Sequence, residues 1–395
     1  MGRRVGLWAV ATAGALVASA AGIVPAQAAG AVAAPAKCGP AVQVLAPLPG
    51  HPAGGSVNDL APHGVAVGSD DGLPVWWTGS EAHPVPLPEG YGSGTVNAVN
   101  KHGLMVGTLG TWADSAAFSY RIGDAAVHLL PGGRAATDVN NHGHIVGTGT
   151  NSRGYATGLE WAGGVLRRQL PLAPALIDDV EHSAVDTIDG INDSGRIIGS
   201  ASGVEPVWEN WTQAALTWPA ALHGKPTVMG EEGDSEDTSQ PSDIDNGGNV
   251  VGTWTAWHSM SVGPMQISPP YDTTLGGALP GDRENGYFNA ISPTTGLIAG
   301  TGIDWEYGDH MPPRASLATV WSGVVPALVL PRLARHQSSG AAAASDDDRV
   351  GGAAGNASGV AVPVVWNCAL QRGHVQAPPA TPAHRPAPGI PALEH

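Results

Sequence analysis

A nine-residue pattern recurs seven times along this chain: apolar, Asn or Asp, two variable positions, Gly, one variable position, two apolar residues, Gly. Its clearest copies are Val99-Asn100-Lys101-His102-Gly103-Leu104-Met105-Val106-Gly107, Val139–Gly147, Ile191–Gly199 and Ile244–Gly252. Degenerate copies run over Leu60–Gly68, Pro293–Gly300 and Ser345–Gly352. A repeat of this size specifies supersecondary units that stack in a line or close in a ring.

The third copy shows what one unit contains. Ala136–Val139 alternates as a short strand, and Asn140-Asn141-His142-Gly143 suits a hairpin turn in which Asn caps and Gly accepts positive φ. His144–Gly149 returns as a second strand, Tyr155–Trp161 forms a third, and Val165–Leu170 a fourth that stops at Pro171. In other units the third strand ends in an aromatic, at Trp77, Tyr120, Trp218, Trp321 and Trp366. The fourth closes on Leu-Pro, at Leu87-Pro88, Leu130-Pro131, Leu279-Pro280 and Leu330-Pro331. No capped stretch of helical period lies between them. Seven units of four short strands predict an all-β fold, a seven-bladed β-propeller. A solenoid would need polar capping repeats, and none is evident.

The ends of the chain support closure. The last unit lacks a fourth strand, whereas Ala41–Pro49 supplies an extra one ahead of the first repeat. An N-terminal strand that completes the last blade removes the open edge. It also brings Cys38 beside Cys368, so a Cys38–Cys368 disulfide is expected in an oxidising compartment.

At these residues the chain resembles the extracellular HAF-repeat proteins of bacteria. The Asn-x-x-Gly core carries the resemblance, followed by Ala117-Phe118-Ser119-Tyr120, Ala215-Leu216-Thr217-Trp218 and Ala318-Thr319-Val320-Trp321. It covers residues 38–370 and implies architecture, not an activity. The last copy departs from it: Asp348 stands where the turn glycine belongs, and Asp tolerates positive φ better than most residues.

Targeting and charge narrow the function classes. Arg3 and Arg4, an apolar run to Val24 and Ala26-Gln27-Ala28 read as a signal peptide over residues 1–29. Without it the formal charge moves from −16 to about −18. The mature protein is therefore expected to be secreted, monomeric and free of membrane insertion, and its acidity argues against nucleic acid as a partner. From Gly373 to His395 the repeat gives way to Pro-rich sequence, read as a disordered tail.

Several constellations have structural explanations. His63, His102 and His142 recur at one turn position, which blade geometry keeps too far apart for one metal ion. Asp243–Asn249 resembles the opening of a calcium loop without its distal acid, and Asn192–Arg196 a sialidase Asp-box without its tryptophan. The run from Glu231 to Asp237 reads as a solvated loop. No metal or cofactor is implied, and no nucleophile elbow or phosphate loop is present.

Six tryptophans remain outside the repeat: Trp112, Trp208, Trp211, Trp254, Trp257 and Trp305, all assigned to connections between second and third strands. Glu209, Glu306, Tyr307 and Asp309 accompany them. Aromatic platforms with carboxylates suit sugar rings, whose C–H faces stack while hydroxyls meet the acids. The expectation is a binding protein for a glycan or cell-wall polymer. Two alternatives stand beside it: a glycosidase or lyase using Glu209, Glu306 or Asp309, and a scaffold for an extracellular protein. Equally open is a reading in which the rings form a buried lid.

Overall fold

The computed structural model describes residues 38–111, 114–152, 154, 156–172, 184–204, 211–230, 237–256, 261–271, 274–276, 285–304, 314–323 and 327–375. The expected signal peptide, the Glu231–Glu236 run and the tail beyond Val375 lie outside the described residues. Seven four-stranded antiparallel sheets form a ring, a seven-bladed β-propeller.

Strands a to d run outward from the axis in each blade. Blade 1 comprises Gly55–Leu60, Val65–Asp70, Leu73–Thr78 and Glu81–Pro84. Blade 2 comprises Gly94–Val99, Leu104–Leu109, Ala116–Arg121 and His128–Leu129. Blade 3 has Gly133–Val139, His144–Thr150, Ala156–Ala162 and Val165–Gln169; blade 4 has Ala184–Ile191, Ile197–Val204, Trp211–Trp218 and Thr227–Val228. Blade 5 has Asp237–Ile244, Val250–Ala256, Ser261–Ile267 and Thr274–Gly276; blade 6 has Asn285–Ile291, Ile298–Asp304, Arg314–Trp321 and Leu328–Val329. Blade 7 takes Ser339–Ser345, Arg349–Gly355 and Ala361–Asn367 from the end of the chain and Val42–Val44 from its beginning. Val42, Gln43 and Val44 pair with Trp366, Val365 and Val364, and Cys38 and Cys368 form the disulfide, Cα atoms 5.9 Å apart.

Each motif position has a physical task. Asn140 Oδ1 accepts the N–H groups of His142 and His144, both at 3.0 Å, which closes the hairpin turn. Its Nδ2 donates to the Asn192 carbonyl of blade 4 at 3.0 Å. Asn100 bonds Asn140 in the same way, and Asn192 bonds Asp245. A carboxamide accepts two amides within its own turn and donates to the next, whereas a carboxylate can only accept. Asp245 makes the first contact through Oδ1 to Asn249 N–H, and the link onward falls to the backbone N–H of Asn246, bonded to Pro293 O. The turn glycine has φ of +79° at Gly143, and Asp348 holds +59° in the last copy.

The closing glycine answers a different constraint. Every strand a carries a β-bulge, and the carbonyl just before it presses on the glycine opposite. A Cβ on Gly147 would lie 2.0 Å from Ala135 O, and one on Gly68 2.0 Å from Ser56 O. Gly107, Gly199, Gly252, Gly300 and Gly352 meet the same obstacle at 2.1–2.4 Å. Gly147→Ala is expected to cost about 3 kcal/mol or more, because backbone atoms cannot step aside as side chains do. A urea midpoint unchanged from wild type would refute this reading.

Between blades, strand-ending aromatics fill the wedge. Trp77, Trp161, Trp218 and Trp366 are fully buried. The indole N–H of Trp161 donates to Pro131 O at 3.0 Å, that of Trp218 to Pro171 O and that of Trp366 to Pro331 O. Each acceptor is the Leu-Pro ending of the preceding blade. Trp77 reaches Ala46 O, two residues past the completing strand, so the first blade is joined to the last by the same device. Trp321 is half-buried and stacks on Phe288; Pro280, the carbonyl that the pattern assigns to it, lies outside the described residues.

Two short helical segments, Pro62–Gly64 and Ala369–Arg372, are described in full. No helix among them is long and apolar enough to cross a membrane. The start of the tail is docked: His374 exchanges both backbone hydrogen bonds with Val329, on the outer strand of blade 6.

Candidate functional site

The bulges decide what faces the axis. The residue left out of the ladder is Asn58, Asn97, Thr137, Asp189, Ser242, Asn289 and Ala342 in blades 1 to 7. A bulge re-aims the side chain that it leaves unpaired. All seven line an axial cavity of about 450 Å³ that extends to the a–b turns.

The next position alternates around the ring. Blades 1, 3 and 5 carry Asp59, Asp138 and Asp243; blades 2, 4, 6 and 7 carry Ala98, Gly190, Ala290 and Ala343. Each aspartate clamps two blades. Asp59 accepts Leu60 N–H at 2.7 Å and, through its other oxygen, Val99 N–H of blade 2 at 2.8 Å. Asp138 accepts Val139 N–H and Ile191 N–H at 2.6 and 2.7 Å, and Asp243 accepts Ile244 N–H and Ile291 N–H at 2.7 and 2.9 Å. The carboxylates thus satisfy amides that lie just past each bulge. A small residue in the receiving blade leaves room for the incoming carboxylate.

These carboxyls titrate high. Burial, against backbone hydrogen bonds that oppose it, pushes Asp59 up to about 7 and Asp138 to about 6, with the charge of Asp138 adding to the first and that of Asp193 to the second. Asp243 is raised well above the usual range by burial and by the charges of Asp138 and Asp59. Asp189 is raised to about 7 by burial, opposed by the Thr187 hydroxyl that donates to it at 2.7 Å. A carboxyl whose pKa is raised in the folded protein binds its proton more tightly there than in the unfolded chain. Its stabilisation is complete below about 3.8 and is lost as pH rises through 6–7. Thermal midpoints should therefore be higher at pH 5 than at pH 8, by about 1–2 kcal/mol per carboxyl once channel solvent is allowed for. An Asp59→Asn, Asp138→Asn, Asp243→Asn triple variant should flatten that slope; an unchanged slope would refute the assignment.

On the side away from the turns, a second cavity of about 440 Å³ adjoins the first at Asn97, Thr137, Asp189 and Ser242. Thr187, Gln240, Pro241 and Thr253 complete its lining. A polar relay joins its floor to its rim. Thr187 Oγ1 lies 2.9 Å from Ser200 Oγ, Gln213 Nε2 donates to that hydroxyl at 3.3 Å, and Gln240 Nε2 donates to Gln213 Oε1 at 3.2 Å. Amides, hydroxyls and one carboxyl therefore line the cavity around a single proline, and no cation is among the described lining residues.

The likeness to known proteins is one of fold. No family model and no curated protein matches the chain. Among solved structures, the β-propeller domain of the Trilobed protease from Pyrococcus furiosus matches with a TM-score of 0.53 and 9% identity, over 80% of this chain and 95% of that one. Oligogalacturonate lyase from Vibrio parahaemolyticus matches with a TM-score of 0.51 and 9% identity, over 82% and 93%. The protease domain is described as having an open velcro topology. Here the N-terminal strand closes the ring.

Two of the tryptophans assigned to connections belong to strands instead. Trp211 opens strand c of blade 4, opposite Val204, and Trp254 lies within strand b of blade 5, between Ser239 and Gly263. Ladder pairing in these blades runs further than the repeat period indicates. Trp254 is half-buried and packs on the cluster between blades 4 and 5 that contains Met265, with its indole over Gly263. Trp112, Trp208, Glu209, Trp257, Trp305, Glu306, Tyr307 and Asp309 lie outside the described residues. Among the described residues no cluster of His, Cys, Asp or Glu suited to a metal ion occurs. The axial ring escaped the sequence reading. Its signal was a polar residue three positions before the first residue of the turn, whether or not that residue is Asn or Asp, present in six of the seven blades.

Proposed function

We propose that this chain is a secreted binding protein that takes a glycan or cell-wall polymer at the end of its axial channel opposite the a–b turns. The cavity lined by Asn97, Thr137, Thr187, Asp189, Gln240, Ser242 and Thr253 carries the proposal. Its size falls within the range of small-molecule sites, and its amides and hydroxyls match the paired donor and acceptor character of sugar hydroxyls. In the sequence Trp112, Trp208, Trp257 and Trp305 each follow a strand b; they lie outside the described residues, and their part as stacking surfaces rests on the sequence. The disulfide suits an oxidising compartment, in keeping with secretion.

A glycan array probed with the protein tests this reading. Binding to at least one neutral glycan is expected. Gln240 is exposed, so Gln240→Leu should leave the thermal midpoint intact while weakening that binding about 5- to 10-fold, the worth of one hydrogen bond. Retention of a protein from a pulldown, with an empty array, would favour the scaffold instead. Asp189 favours a second reading, polymer cleavage. A carboxyl raised to about 7 in a ligand-sized cavity can exchange protons near neutrality. Release of shorter products from the same panel, abolished in Asp189→Asn, would establish it.

A further inference from the structure

We infer that the site is selective for chain ends: the waist of the channel holds the terminal residue of a glycan that presents hydroxyl or amine donors. This rests on the glycan reading above and adds direction and chemistry to it.

The bulge residues supply the chemistry. Asn97 commits its amide hydrogens to Ala136 O at 2.8 Å and Thr108 Oγ1 at 3.2 Å. Asn289 does the same toward Ala341 O at 2.7 Å and Thr301 Oγ1 at 3.4 Å. With the N–H groups engaged, both side chains offer their carbonyl oxygens to the cavity. The Thr137 hydroxyl donates to Val146 O, which leaves its oxygen as an acceptor, and Asp189 adds a carboxyl. The waist is therefore rich in acceptors, and the occupant must bring donors.

Charge sharpens the choice. Six aspartates line the cavity on the turn side of the waist or at it, against a single lysine, Lys101. Above about pH 7, where Asp59, Asp138 and Asp189 have given up their protons, an anionic sugar would enter against this potential, whereas a neutral or amino sugar would not.

Geometry supplies the direction. The waist is enclosed by seven innermost strands, so a polymer cannot lie across it as it would in an open groove. A mid-chain segment could reach only rim residues such as Gln240 and Thr253. A free end can pass inward to Asp189 and Ser242, where the two cavities adjoin.

Titration calorimetry on the full chain tests the inference, with hexamers of β-1,4-linked glucose, N-acetylglucosamine and glucosamine and of α-1,4-linked galacturonate. Each is used free, with a bulky group at its reducing or its non-reducing end, and with one at both. A neutral or amino hexamer should bind, one of the two caps should weaken it at least 10-fold, and the galacturonate hexamer should not bind. Ser242→Leu and Ala342→Leu narrow the waist without removing any of the bonds named here, and should weaken binding at least 10-fold at unchanged thermal midpoint. If one plugged variant fails to fold, the other and the cap series still decide. Equal affinity for free and doubly capped hexamers, or wild-type binding by both plugged variants, would overturn end insertion and leave glycan recognition standing. Preference for the galacturonate hexamer would overturn the donor chemistry. No binding to any hexamer, together with an empty array, would sink both readings.

Discussion

Replacing Glu160 by alanine is expected to destabilise the protein by about 3–5 kcal/mol. Its side chain is fully buried in strand c of blade 3 and receives hydrogen bonds from Arg167, Arg168 and His144. Arg168 is itself almost fully buried and reaches onward to Pro219 O at 3.0 Å and Ala221 O at 2.7 Å, beyond strand c of blade 4. Deleting the carboxylate strands a guanidinium in the interior and loosens a joint between two blades. Burial alone would raise the Glu160 pKa, but the three hydrogen bonds and the Arg168 charge hold it below the usual value of 4.5. Its stabilising effect is therefore present above pH 4.5 and is lost as pH falls through the lowered pKa, opposite in sense to the channel aspartates. Urea unfolding at pH 7 measures the effect. A change under about 1 kcal/mol would show that solvent reaches Arg168 and relieves it. Glu160→Ala combined with Arg168→Met should recover part of the loss, because the stranded charge is then gone as well.

Removing the disulfide is the second large perturbation. The strand that completes blade 7 is three residues long and pairs only with Val364–Trp366. Further bonds secure it, among them Leu45 N–H to Pro363 O at 3.0 Å, Asn367 N–H to Ala41 O at 3.3 Å and Asn367 Nδ2 to Pro40 O at 3.0 Å. The crosslink spans 330 residues, for which loop-closure entropy sets a ceiling of about 5–6 kcal/mol. Cys38→Ala with Cys368→Ala is expected to lose about 2–5 kcal/mol, with the loss concentrated in blades 7 and 1. Hydrogen exchange should show amides of Val42–Val44 and Val364–Trp366 opening first. Uniform loosening of all blades would contradict a local clasp, and an unchanged midpoint would show that strand pairing holds the ring alone.

Periodic features were legible in the sequence because each follows from a requirement that every blade shares. Asn140, Gly143 and the strand-ending Trp161 could be assigned to turn and wedge from spacing alone. The split blade and its disulfide followed from what was missing after Trp366. The bonds that join blades were less visible. Leu130-Pro131 reads as a strand terminator, and nothing in it announces that the Pro131 carbonyl receives the Trp161 indole. The channel was hidden for a related reason. A bulge adds one residue without altering composition, so Thr137 reads as an ordinary alternating position until the register is known. The clamps at Asp59, Asp138 and Asp243 occur in every other blade, and a period that skips is lost among seven imperfect copies. Trp211 and Trp254 were misplaced because strands in blades 4 and 5 outlast the repeat, which only ladder pairing reveals.

The completing strand has a consequence for biosynthesis. Among the described strands Val42–Val44 is the first to be made, and its partner Ala361–Asn367 is the last. Successive blades can form in order as the chain emerges, each new tryptophan finding a carbonyl already in place behind it. Blade 1 is the exception, since the strand that seats Trp77 can dock on blade 7 only after Ala361–Asn367 has been made. Until then the nascent molecule is an open arc with two unpaired edges, and a neighbouring copy offers the same edges for mispairing. A truncation that removes Ala361–Asn367 would hold the protein in that arc, and a chaperone that binds unpaired strand edges would be expected to select it.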